Sequence, residues 1–308
     1  MNPERDEVAN NVILLVDKPA GITSHDVVAK VRRTFKTRKV GHAGTLDPMA
    51  TGLMTLGINN GTKILSHLVG MDKVYLAEAF LGFGTTTDDA EGERIVGSVQ
   101  GSKEPVISKQ ISTVFNTQVG NIAQIPSSVS AVKVNGVRSY KLARAGQAVE
   151  LAPREVTIHS LDLLDLKPET IDGVQGHLVT FRVHCSSGTY VRAIARDVGL
   201  SLGVGGHLRS LRRERIGEFS LAQAITLEDL QSADRQVSGL GLGKVLSTLM
   251  PVQEVGMEDI NELRFGRQID CQVEAKFGAT IAICDANSEL IAVGFRKGTK
   301  IQPKTVFN

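Results

Sequence analysis

Lys39-Val40-Gly41-His42-Ala43-Gly44-Thr45-Leu46-Asp47-Pro48-Met49-Ala50-Thr51-Gly52-Leu53 is the stretch around which the rest of the chain has to be built. Glycines at 41, 44 and 52 beside Pro48 argue against a regular helix or strand from Gly41 to Gly52, so that part is expected to be a shaped loop. The residue before a proline is confined to extended backbone, so Asp47 is a carboxylate on stiff backbone within an otherwise adaptable loop. A carboxylate fixed in this way can be aimed into a cleft. An isolated Asp-Pro would be no more than a turn.

On the N-terminal side, the apolar run at residues 12–16 reads as a buried strand that ends at Asp17-Lys18-Pro19-Ala20-Gly21. Thr23 and Ser24 are N-cap candidates for a helix running to about Lys39. Its apolar face is Val27, Val28, Val31 and Phe35, and its other face carries Lys30, Arg32, Arg33, Lys36, Arg38 and Lys39. On the C-terminal side, residues 74–81 and 178–185 read as strands, and residues 108–119 and about 189–202 as helices. The acidic Thr87-Asp88-Asp89-Ala90-Glu91-Gly92 is a turn, and His207, Arg209, Arg212, Arg213 and Arg215 form a second basic cluster. Residues 232–243, rich in Gly, Ser and polar side chains, read as a linker. Short strands at 280–284 and 290–295 then make a small β-rich terminal unit. Strands and helices alternate too irregularly for a doubly wound sheet, so the expected class is α+β, in two units, 1–235 and 236–308.

Composition limits the functions this frame can serve. A chain of 308 residues with 42% hydrophobic and 22% charged residues buries a large core without disulfide or metal staples. The balance of 35 Lys+Arg against 33 Asp+Glu excludes a histone-like polycation and an acidic disordered chain, though not a local basic face. With 10 Phe, 3 Tyr and no Trp, an extended base-stacking platform cannot be built. Cys185, Cys271 and Cys284 are too few and too far apart for a disulfide framework or a cysteine zinc site, which points to a reducing cytoplasm. The apolar run at 12–16 is too short for a signal or a membrane span.

Cofactor signatures are missing. Gly239 to Lys244 resembles the end of a phosphate loop, but Val245 stands where a Ser or Thr would hold magnesium. No G-x-G-x-x-G opens a helix after a strand, and the seven His show no metal-ligand spacing. The expectation is an activity without metal, nucleotide or redox centre.

Residues 12–25 and 39–53 together resemble the bacterial TruB family of tRNA pseudouridine synthases. Three further blocks agree: Lys73-Val74-Tyr75; Pro126 to Gly136 with Ser139-Tyr140 and Ala143-Arg144; and Cys185 to Arg192 with Gly205-Gly206-His207-Leu208 and Leu211-Arg212-Arg213. The match runs in family order over residues 10–230. By position, the C-terminal part resembles a reduced RNA-binding module of the PUA type. The resemblance implies a pseudouridine synthase catalytic domain with a central mixed, mainly antiparallel sheet, followed by a small PUA-like domain. It also implies isomerisation of uridine 55 in the T-loop of tRNA, without cofactor. The expected partner is the T-arm stem-loop, with no membrane, no obligate protein partner and a monomeric enzyme.

The resemblance also assigns roles. Asp47 is the nucleophile, adding either to the uracil ring or to C1′. Arg192 is the cation that keeps Asp47 ionised. Tyr75 stacks on the target uracil near C5, where it can accept a proton. Tyr190 contacts the base and supports Arg192, and Leu211 closes the apolar side of the pocket. His42 fills the space left by the extruded base. Lys18 is a second cation or a phosphate ligand. The two basic clusters, with Lys133, Arg138, Lys141 and Arg144, are phosphate contacts. The competing readings are a binding module or chaperone with vestigial catalytic residues, and a relative working in a guide-RNA complex. The intact motifs and the short C-terminal module favour a stand-alone enzyme.

Overall fold

The computed structural model describes residues 11–95, 108–128, 133–134, 137–138, 151–232, 237 and 239–307. Its frame is one large mixed sheet. The principal strands are β1 (Val12–Lys18), β2 (Val40–His42), β3 (Thr51–Ile58), β4 (Lys73–Leu81), β5 (Gly120–Gln124), β6 (Arg154–Ile171), β7 (Val174–Cys185) and β8 (Gly206–Ile216). They lie in the order β1-β3-β8-β4-β7-β6-β5, with β2 also paired to β3. β3 and β8 run parallel, as do β1 and the short strand Ile225–Thr226; the other pairings are antiparallel. The class is α+β, as the irregular alternation predicts.

One face of this sheet is covered by helices that include α1 (Ser24–Thr34), α2 (Ser108–Asn116) and α3 (Val191–Ser201). Val27, Val28 and Val31 of α1, Ile111 and Phe115 of α2, and Ile194 and Val198 of α3 share a core with Tyr75, Ala77, Phe181 and Leu211. α1 begins at Thr23, whose hydroxyl accepts from the Asp26 amide while Asp26 accepts from the Thr23 amide, a reciprocal cap. It ends earlier than the basic run suggests. Lys36 takes a left-handed φ of 48°, and Thr37 donates back to Arg32 O at 3.2 Å, which closes the last turn. α2 likewise stops at Asn116, short of 119.

The opposite face, at the β1–β3 end, packs on the C-terminal part. There a five-stranded sheet includes β9 (Val252–Glu254), β10 (Thr280–Cys284), β11 (Leu290–Lys297) and β12 (Lys300–Val306). Ile13, Leu15 and Leu53 pack with Leu242, Val245, Leu246, Cys284 and Phe307 in a second core. The stretch 232–243 is therefore no free linker. Leu240–Gly241 pairs with β1, and Leu242–Ser247 is a buried helix. A Cβ on Gly243 would lie 2.1 Å from Ser288 O, so that helix sits directly against the second sheet. Residues 233–236 and 238 of this stretch lie outside the described residues.

Candidate active site

The loop joining β2 to β3 is pinned from several elements at once. Ser24, in the first turn of α1, donates its hydroxyl to Leu46 O at 3.0 Å and accepts from Leu46 N at 2.9 Å. The Ala50 amide donates to Asp47 O at 3.1 Å, closing a turn around Pro48, and Gly21 N donates to Pro48 O at 2.9 Å. Arg213 donates to Gly44 O and Leu53 O at 3.1 and 2.7 Å. Gly52 has φ of 102°, and a Cβ there would lie 2.3 Å from Arg213 O, so only glycine lets β3 and β8 close at this point. The stiffness inferred for Asp47 thus has a tertiary cause as well as a local one.

The Asp47 carboxylate emerges from this loop with 38% of its side chain exposed, its Oδ2 3.0 Å from Arg192 Nε. Arg192 is only 5% exposed. It also donates from Nη1 to Thr87 O at 2.8 Å and to Asp89 Oδ2 at 3.1 Å. One buried guanidinium therefore faces two carboxylates, a charge-assisted arrangement that fixes its plane. Arg192 occupies the first turn of α3, just after its N-cap Tyr190. The buried Gln124 amide clamps that cap, accepting from Tyr190 N at 2.8 Å and donating to Tyr190 O at 3.2 Å.

The expected pull of Arg192 toward the ionised form of Asp47 is present, and burial opposes it. Burial pushes the Asp47 carboxyl up, and Asp89 adds to this, while Arg192 and Lys18 pull the other way and do not prevail. When ionised, such a carboxylate is a stronger nucleophile and base than an ordinary aspartate. Arg192 limits the rise rather than reversing it.

Tyr75 lies opposite Arg213 in the β4–β8 pairing, on the helix-bearing face. The Arg213 cation beside it favours the phenolate, yet burial outweighs that cation and raises the phenol above its usual value. At neutral pH Tyr75 is therefore a phenol, better suited to offering its ring than to taking a proton. Leu211, opposite Ala77 in the same pairing, belongs to the same apolar wall. His42 closes β2, and its ring meets His25 edge-on at 5.9 Å. Its Nδ1 is buried with no hydrogen-bond partner among the described residues. Burial, with His25 and Arg213 nearby, lowers its pKa and keeps it neutral.

Lys18 is 0% exposed. Its Nζ donates to Pro19 O, Ile22 O and Pro48 O at 2.9, 2.8 and 3.1 Å, which uses all three of its hydrogens. A phosphate contact is excluded by that geometry, and the role left is a cation beneath the Asp47 turn. Burial lowers its pKa to about 8 against the pull of Asp47.

The second basic cluster is partly internal, with His207 and Arg213 buried. Residues 206–216 form β8, so alternate side chains point into the protein. Arg213 is 1% exposed, the buried His207 contacts Phe83 O through Nδ1 at 3.0 Å, and Arg212 is paired with Asp17 at 2.7 Å. Arg209 and Arg215 are the exposed members. Arg32, Arg33, Lys36, Arg38 and Lys39 are exposed, so the first cluster is a solvated basic face. The side chains of Lys133, Arg138, Tyr140, Lys141 and Arg144 lie outside the described residues.

Reading by motif overlooked Asp89 and Gln124. Asp89 is 4% exposed in what reads as a solvated acidic turn. The signal available for it is Leu208 N donating to Asp88 O at 3.0 Å, a tertiary contact that sequence spacing does not encode.

The fold is α+β, and its Asp–Arg–Asp cluster sets a partly exposed carboxylate near an apolar wall. Residues 32–191 match the profile "TruB family pseudouridylate synthase (N terminal domain)", and residues 192–255 match "tRNA pseudouridylate synthase B C-terminal domain". The chain is 49% identical over 257 residues to tRNA pseudouridine synthase B of Arthrobacter sp. (strain FB24), covering 83% of this chain and 81% of the relative. It is 45% identical over 295 residues to that of Mycobacteroides abscessus, covering 96% and 95%. It superposes on a chain from an H/ACA ribonucleoprotein bound to a substrate RNA containing 2′-deoxyuridine with TM-score 0.71 at 23% identity, covering 100% of this chain and 88% of that one, a likeness of fold alone. The chain belongs to the TruB family of pseudouridylate synthases, and it is an isomerase. No helix among the described residues is long and apolar enough to cross a membrane.

Proposed function

We propose that this enzyme converts uridine 55 in the T-loop of tRNA to pseudouridine, with Asp47 as nucleophile. The observation that carries this reading is the partly exposed carboxylate of Asp47, 3.0 Å from a buried arginine that a second carboxylate fixes in place. Extrusion of the target base costs a few kcal/mol. The neutral His42, with its unpaired buried Nδ1, suits the place the base leaves. The uracil then lies between the Tyr75 ring and Leu211, away from water.

Asp47 attacks the uracil ring or C1′, the glycosidic bond breaks, and the base turns and rejoins through C5. Nothing is added or removed, so the chemistry asks for no metal, nucleotide or redox cofactor. The C5 proton needs an acceptor: the Asp47 carboxylate, made more basic by burial, competes for that role with the Tyr75 oxygen. Residues 1–235 act as the catalytic unit and 236–308 as a PUA-like RNA-binding unit. The enzyme works in the cytoplasm as a monomer without a guide RNA.

The test is the Asp47→Asn variant on tRNA labelled with tritium at uracil C5. It should bind tRNA normally and release no tritium; release at a tenth of the wild-type rate overturns the assignment. An isolated T-arm stem-loop should be modified, whereas a guide-dependent enzyme would leave it untouched.

A further inference from the structure

Outside the active site, one cluster of side chains has the composition of a metal site. Asp72 lies just before β4, His159 on β6 and His184 on β7. Asp72 Oδ2 is 3.1 Å from His159 Nε2 and 3.9 Å from His184 Nε2. A ligand atom from each residue lies within 4.8 Å of the other two. In a tetrahedral zinc site with bonds of 2.0–2.1 Å, neighbouring ligand atoms are about 3.3 Å apart, so a small closure brings these three to bonding geometry.

The backbone explains why they meet. The register of β6 against β7 slips between Ile158 and Ser160, which leaves His159 as the extra residue of a bulge. A bulge re-aims its side chain. Here it sets the His159 ring 4.6 Å from that of His184, canted at 45°. His184 pairs with Val74 and Tyr75 pairs with Val183, so His184 points to the sheet face opposite Tyr75. All three side chains are half-exposed, so a cation would reach them from solvent without passing the catalytic cleft.

We infer that Asp72, His159 and His184 bind a divalent transition cation that clips together the ends of β4, β6 and β7. Two imidazoles and one carboxylate favour zinc or its first-row neighbours over magnesium or calcium, which prefer oxygen-only shells. Solvent completes the coordination. The clip lies behind the strand that carries Tyr75 and takes no part in the chemistry.

The full-length enzyme, stripped with a chelator and dialysed, would be titrated with Co2+ by visible absorption and with Zn2+ by equilibrium dialysis. The expected result is saturable binding of about one ion per chain, with d–d bands and no thiolate charge-transfer band. His159→Gln and His184→Gln should each weaken binding by more than about tenfold, with unchanged circular dichroism and unchanged tritium release. Zinc should raise the thermal midpoint of the wild type only. Absence of saturable binding, a thiolate band, or equal affinity in the folded variants overturns the inference.

Discussion

Replacing Arg192 with Met removes the one side chain that faces both Asp47, at 3.0 Å, and Asp89, at 3.1 Å. Two unit charges about 4 Å apart attract by about 4 kcal/mol at an effective dielectric of 20, equivalent to a pKa change of about 3. Asp47 has 38% of its side chain exposed, so water screens part of that. The Asp47 pKa should therefore rise by about 1–2 in the variant, within the usual range for losing a close counter-ion. The sign follows from which form reacts. In the proposed mechanism the carboxylate is the nucleophile, so activity should be present above its pKa and lost as pH falls through it. Burial raises the Asp47 carboxyl, so the acid limb of the wild-type profile should lie above the ordinary aspartate value, and Arg192→Met should move that limb further up. At a fixed pH below the limb, the rate falls about tenfold for every pH unit the limb has moved, and it recovers at alkaline pH. The assay is single-turnover tritium release from C5-labelled tRNA as a function of pH, on protein whose fold is checked by circular dichroism, because removing one partner of a buried pair costs about 3–5 kcal/mol. Arg192→Lys, which keeps the charge, should move the limb less. A variant slower by one constant factor at every pH would show that Arg192 acts through geometry or substrate contact, and would refute the electrostatic role.

Tyr75→Phe keeps the ring and removes the oxygen, so it separates stacking from proton acceptance. With the phenol raised by burial, tRNA affinity should be preserved. A loss of about 10²-fold or more in single-turnover rate would assign the C5 proton to the Tyr75 oxygen, and near-normal turnover would leave it to Asp47. Gly52→Ala should destabilise the protein by at least about 1–3 kcal/mol in urea unfolding from its backbone conformation alone, before the contact with Arg213 O is counted; a change within about 0.5 kcal/mol would contradict the tight β3–β8 closure. Removing Arg33 and Lys36 together from the exposed face of the α1 region should reduce the slope of log affinity against log salt by about 1.4–1.8 while kcat at saturating tRNA is retained; an unchanged slope would take that face out of the RNA interface.

How much of this could be read from the chain depended on whether each signal was local. The turn at Asp47 was legible because glycine and proline act through their own backbone, although Gly41–His42 and Thr51–Gly52, read as loop, are strand residues of β2 and β3; α1 was legible because Thr23 and Asp26 cap it within four residues. β8 was not legible, because His207, Arg209, Arg212, Arg213 and Arg215 look like a charged surface run. What makes Arg213 an internal residue is the set of carbonyls it meets, Gly44 O and Leu53 O, about 160 residues away in sequence. Lys18 follows the same rule: its charge is tolerated inside because three carbonyls converge on it. The basic face drawn from sequence therefore divides into two functions. Arg192, Arg213 and Lys18 face inward against the Asp47 loop, and under the proposed function the exposed residues of the α1 region, with Arg209 and Arg215, would meet the RNA backbone. That division would let a chain with a net charge of only +2 present a local basic face to a polyanion and still devote several cations to its interior. It also sets an ordering on variants: substitutions at the inward cations should change kcat and stability together, whereas those at the outward ones should change affinity and its salt dependence.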